Sequence, residues 1–88
     1  MKTYRFTYHT DPSHGWVEVP FETILSLGIA GKISPYSYKG QGKAYLEEDC
    51  DLTTFINAID DLKIDIEFED HMTNHDSWIR NLPRWGNP

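Results

Sequence analysis

Apolar residues in the second half of this chain change period once. Leu52, Phe55, Ile56, Ile59 and Leu62 recur at helical spacing, with Thr53, Asn57 and Asp60 on the opposite side. Immediately afterwards Ile64, Ile66 and Phe68 alternate with Asp65, Glu67 and Glu69, the two-residue period of a strand. A helix with one apolar stripe runs directly into a strand with one apolar and one acidic face. Both must cover a shared core, so the chain is expected to lay helices on a sheet.

The first half supplies the rest of that sheet. Thr3 to His9 alternates, with Tyr4, Phe6 and Tyr8 on one side and Arg5, Thr7 and His9 on the other. Asp11-Pro12-Ser13-His14-Gly15 is turn chemistry, and Trp16 to Val19 returns as a second strand with Val17 and Val19 facing one way. Pro20 suits the first position of a helix. Phe21, Ile24, Leu25 and Gly28 follow at helical spacing, with Gly28 as a left-handed cap and Ile29 behind it. Ser34–Tyr38 and Lys43–Glu47 read as two short strands joined around Gly40-Gln41-Gly42. Asp49 or Asp51 can cap the second helix, and Ser77 a last short one over Trp78–Leu82 that Pro83 ends. The expected fold is α+β: a single small domain with a mainly antiparallel sheet, in the order β-β-α-β-β-α-β. Two helices lie on one face. Residues 1–76 form the compact body, and residues 77–88 a Trp/Arg-containing tail docked on it.

Eighty-eight residues make one small domain, which buries a smaller share of its surface than a large one does. Aromatics at 14% supply part of the burial a small core needs. The single cysteine, Cys50, excludes an internal disulfide and fits a reducing compartment. Residues 1–6 hold no apolar run of signal-peptide length and no segment is long enough to span a membrane; the expected location is the cytoplasm. Charge is the lopsided property. Eleven of fourteen acidic residues lie between Glu47 and Asp76, opposed only by Lys63, so this stretch carries −10 within a net −6. Such a field repels nucleic acid and anionic membrane and favours a basic partner or a cation.

Asp65, Glu67 and Glu69 lie about 6.7 Å apart along a strand, close to the spacing of successive phosphates. Glu47, Glu48, Asp49, Asp60 and Asp61 are candidates to extend that row. The plainer reading is a solvated face, or an edge strand protected by charge. His71 and His75 with Asp70 or Asp76 would offer metal-ligand spacing on a helix, but Met72-Thr73-Asn74 between them reads as loop. No metal or other cofactor is expected. Negative neighbours argue against a nucleophilic Cys50, which reads as a small buried hydrophobe. Gly40-Gln41-Gly42-Lys43 is too short for a phosphate loop. Tyr36, Tyr38 and Tyr45 fit a cross-strand cluster better than a base-stacking platform. Trp78 and Trp85 with Arg80 and Arg84 are residue types of binding hot spots; docking suits Trp78, and Trp85 is a candidate contact.

The run Asp11-Pro12-Ser13-His14-Gly15-Trp16-Val17-Glu18-Val19-Pro20, together with Leu27-Gly28-Ile29, Ile33-Ser34-Pro35-Tyr36-Ser37-Tyr38 and Tyr45-Leu46-Glu47-Glu48-Asp49-Cys50-Asp51, resembles small proteins encoded by bacteriophages and mobile elements. They share a D-P-x-H-G-W-x-x-V-P opening and a Y-L-E-E-D-x-D block. The resemblance covers residues 1–60 or so and implies a small cytosolic protein of a bacterium or its phage, without implying an activity. Charge and resemblance together lead to a non-enzymatic acidic protein that engages a basic surface of a host protein, with no direct nucleic-acid or membrane contact. A nucleic-acid-handling defence factor (CRISPR or restriction) is the target class. The alternative is a small hydrolase or nuclease using His14 with a carboxylate such as Asp11 or Glu18. Self-association through the tail is a third arrangement.

Overall fold

The computed structural model describes residues 3–86. Residues 1, 2, 87 and 88, which the expected ranges 1–76 and 77–88 include, lie outside them. The strands are β1 (Thr3–Thr10), β2 (Gly15–Pro20), β3 (Tyr38–Gly40), β4 (Lys43–Glu47) and β5 (Asp65–Met72). The helices are α1 (Phe21–Ser26) and α2 (Leu52–Asp60), and two 3₁₀ turns occupy Ala30–Lys32 and Trp78–Asn81.

The sheet order is β3-β4-β2-β1-β5, antiparallel throughout except for the parallel β1–β5 pair. β4 and β5 therefore run the same way, and α2 carries the chain back between them, as a parallel return requires. Local chemistry sets the corners. Asp11 N–H bonds to His14 O (2.9 Å) to close the β1–β2 loop. Gln41 and Gly42 both take positive φ (53° and 77°) between paired Gly40 and Lys43, the backbone of a two-residue type I′ hairpin. At the end of α1, Gly28 (φ 70°) donates to Leu25 O at 3.0 Å and Ile29 N–H to Ile24 O at 3.3 Å, a Schellman cap.

Both sheet faces carry a core. On one, Val17, Val19, Ala44 and Leu46 meet Ile24, Ile29, Ile33, Phe55 and Ile59, bringing α1 and α2 to the same side. Phe6 stands edge-on to Phe55 with ring centroids 5.1 Å apart. On the other face Trp16, Tyr38 and Tyr45 pack beneath Ile79, with Leu82 alongside. The C-terminal segment also covers one sheet edge: Lys39 N–H bonds to Pro83 O (2.9 Å) and Trp85 N–H to Ser37 O (2.8 Å) beyond β3. Among the described residues no strand pairs with the outer edge of β5, and no helix is long and apolar enough to cross a membrane.

The α+β fold, its element order and both helices on one face agree with the sequence reading, and several details do not. The expected strand Ser34–Tyr38 is a turn up to Ser37, and β3 starts at Tyr38. Buried Asp51 draws that segment inward, accepting from Ser34 N–H (3.0 Å), Ser34 Oγ (2.7 Å) and Ser37 Oγ. For the same reason Asp51 stands at the N-cap of α2 without a side-chain capping bond. Pro20 ends β2 and is the N-cap of α1 rather than its first residue. Leu25 and Leu62 are exposed, the latter because α2 stops at Asp60. Cys50 is exposed rather than buried, since it sits in the turn between β4 and α2. His71 belongs to β5 and His75 lies beyond its end, so the two do not share a helical face. Ser77 does cap the last turn, accepting from Ile79 N–H at 3.2 Å.

Candidate functional site

The acidic residues singled out in the sequence fall into groups separated across the width of the sheet. Asp65, Glu67 and Glu69 stand on one face of β5, in register with Thr3, Arg5 and Thr7, and all three are exposed. Arg5 Nε and Nη2 donate to Glu67 Oε1 at 2.8 and 2.6 Å, so the middle of the row already holds one cation. Asp60 and Asp61 are exposed at the C-terminal end of α2, which has no basic residue in its last turn. A helix C-terminus disfavours negative charge by about 0.3–1 kcal/mol per group. These two acids therefore sit where local electrostatics opposes them, one turn before β5.

Glu47, Glu48 and Asp49 lie elsewhere, at the end of β4. With β2 and β1 between, β4 is three strand spacings from β5, about 14 Å, so Glu47 does not continue the β5 row, and Glu48 and Asp49 follow in the turn beyond β4. Glu47 is buried, and its Oε1 accepts from the backbone N–H of Asp49 (2.7 Å) and Cys50 (3.0 Å). Half-buried Glu48 accepts from the Tyr8 hydroxyl at 2.7 Å, and Asp49 is exposed. Burial first, then the bond to Glu48, hold the Tyr8 phenol well above its ordinary range. Trp85 is half-buried: its ring meets Phe21 edge-on (5.5 Å) and its Nε1 donates to Ala30 O at 3.1 Å. Trp78 is 49% exposed, touching Tyr45 and His9 at its edge, and its neighbour Ile79 is the fully buried anchor.

Pairing of β2 with β4 brings the segments Asp11–Pro20 and Tyr45–Asp51 side by side. A cleft of about 280 Å³ opens where they meet, lined by His14, Glu47, Asp49 and Cys50 on one side and by Tyr36, Arg80 and Arg84 among the others. His14 Nδ1 lies 3.4 Å from Glu47 Oε2. The two carboxylates singled out beside His14 in the sequence are engaged elsewhere. Asp11, with a fully buried side chain, accepts from the N–H of Ser13, His14 and Ser77 and from Arg80 Nε at 2.6 Å. Glu18 is bonded to His9 Nε2 (2.9 Å) and Lys43 Nζ (2.7 Å). The His14 ring is thus placed beside Glu47, a pairing hidden in the sequence because the residues are far apart along the chain. Partial desolvation and the Glu47 carboxylate hold the Cys50 thiol above its ordinary range, which disfavours a nucleophilic thiolate.

What this arrangement offers chemically is an exposed acidic edge strand on one side of the sheet and a His-carboxylate cleft at one end of it. No protein-family model, curated protein or solved structure matches this chain.

Proposed function

We propose that this chain is a non-enzymatic, phage-type binding protein whose acidic β5 edge engages an extended basic segment of a host protein. The target class is a nucleic-acid-handling defence factor of the CRISPR or restriction kind, blocked by negative charge spaced like a phosphate backbone. One observation carries the reading: β5 is an eight-residue edge strand whose outer side is unpaired among the described residues and whose Asp65, Glu67 and Glu69 are exposed. An added strand gains main-chain hydrogen bonds from such an edge, and its alternate side chains decide which strands are accepted. A second copy of β5 would bring carboxylate against carboxylate, which is destabilising across strands. A strand with lysine or arginine at alternate positions meets opposite charge instead. Phe68 and Met72, 38% and 76% exposed on the opposite face of β5, add apolar contact.

The test is capture of host proteins by wild type and by the Asp65→Asn, Glu67→Gln, Glu69→Gln triple variant, at low and high salt. Exposed substitutions of this kind shift stability by within about 0.5 kcal/mol each, so the variant should remain folded. Wild type should retain a basic, nucleic-acid-binding protein at low salt and release it at high salt, while the variant retains little at either. Equal retention by wild type and variant, or a partner that is not basic, would sink the electrostatic reading.

A second reading, hydrolysis with His14 as general base, is favoured by its 3.4 Å approach to Glu47 in a cleft that also holds Arg80 and Arg84. An assay of nucleotides, RNA and esters decides it: turnover by wild type that disappears in His14→Ala would displace the binding reading.

A further inference from the structure

We infer that the cleft at the ends of β2 and β4 binds one divalent transition-metal ion, of the Zn²⁺ type, through His14 Nδ1, Glu47 Oε2 and an Asp49 carboxylate oxygen. The ligand atoms of these residues lie within 4.8 Å of one another. His14 Nδ1 and Glu47 Oε2 are 3.4 Å apart, which is about the edge of a tetrahedron with metal–ligand bonds near 2.1 Å. Asp49 is exposed, so its side chain is free to close the remaining distance.

The supporting groups are already in place. Glu47 is 7% exposed, and the Asp49 and Cys50 N–H groups hold its Oε1 at 2.7 and 3.0 Å. That fixes the carboxylate from behind while Oε2 faces His14, as outer hydrogen bonds do for a ligating carboxylate. The His14 backbone is fixed as well, its N–H donating to Asp11 Oδ1 at 3.0 Å and its carbonyl accepting from Asp11 N–H at 2.9 Å. Two carboxylates, one of them buried, carry a charge that a dication offsets.

Trp16 lines the same cleft, is 1% exposed, and has no hydrogen-bond acceptor for its buried Nε1. Three protein ligands leave coordination positions open. Arg80 and Arg84 also line the cleft, but Arg80 is committed to Asp11 and Arg84 to Pro35 O (3.1 Å). Imidazole nitrogen beside carboxylate oxygen suits zinc and its neighbours, whereas an oxygen-only set would suit magnesium or calcium. Cys50 shares the cleft but is not in the ligand set.

Calorimetric titration of the full chain with ZnCl₂, and separately with MgCl₂, tests this. One Zn²⁺ per chain is expected, with much weaker uptake of Mg²⁺. His14→Ala and Asp49→Asn should each weaken Zn²⁺ binding by more than about tenfold, with unchanged circular dichroism. Glu48→Gln, Cys50→Ser and His75→Ala should bind like the parent. Asp49→Asn changes an exposed side chain, so it keeps the test decisive if His14→Ala disturbs its loop. The assignment is overturned by absence of Zn²⁺ uptake, by uptake that survives both ligand variants, or by affinity that follows Cys50 or His75.

Discussion

Asp11 ties the C-terminal segment to the first hairpin, and replacing it should be among the most damaging single changes in this chain. Its side chain is fully buried, while that of Arg80 is 29% exposed. Oδ1 accepts from Ser13 and His14 N–H and from Arg80 Nη2, each at 3.0 Å. Oδ2 accepts from Ser77 N–H at 3.0 Å and Arg80 Nε at 2.6 Å. Asp11→Ala strips every one of these donors. Breaking a buried pair costs about 3–5 kcal/mol; Arg80 regains some hydration, which places the expectation near 3 kcal/mol. A chain of this size holds only about 4–13 kcal/mol in total, so the urea midpoint should fall sharply. A double-mutant cycle with Arg80→Met should return a coupling of about 1.5–3 kcal/mol. The acid limb gives a second reading of the same bond. Arg80 above all, aided by the Ser77, His14 and Ser13 N–H groups and opposed by burial, holds the Asp11 carboxyl far below its ordinary 3.8. A depressed folded-state pKa stabilises fully above the unfolded value and is lost as pH falls through the folded one. The advantage of wild type over Asp11→Asn should therefore be constant above about pH 5 and shrink below 3.8. Asp11→Ala within about 0.5 kcal/mol of wild type, or a coupling near zero, would refute the reasoning.

Further outcomes follow from the same geometry. Ser37, fully buried, donates to Asp51 and accepts from Glu47 N–H at 2.9 Å; Ser37→Ala should cost about 1–3 kcal/mol with an unchanged denaturant slope. Gln41 sits at φ 53° before Gly42, so Gln41→Asn, which supplies the preferred type I′ pair, should raise stability by about 0.5 kcal/mol. A Cβ on Gly15 would lie 2.5 Å from Tyr8 Cε1 and 2.6 Å from Glu48 Oε2. Gly15→Ala should therefore cost about 1–3 kcal/mol, part of it recovered by adding Glu48→Ala; no recovery would show that the crowding comes from elsewhere.

The sequence by itself determined the elements whose evidence is periodic or local. The stripe Leu52, Phe55, Ile56, Ile59 fixed α2, alternation fixed β1 and β5, and glycines at positions of positive φ fixed the α1 cap and the β3–β4 hairpin. Those signals follow from backbone geometry within a few residues, which is why they are readable without partners. Tertiary structure decided what each polar group does. Asp51 reads as a helix cap, yet its carboxylate is taken by Ser34 and Ser37. Glu47 reads as one of many surface acids, yet pairing of β2 with β4 buries it beside His14. Asp11 and Glu18 read as free carboxylates near a histidine, yet Arg80 and Lys43 occupy them. Charge along the chain says how many acids there are. Which of them face solvent depends on strand order, because that alone decides which side chains lie across from one another and which strand is left with an open edge.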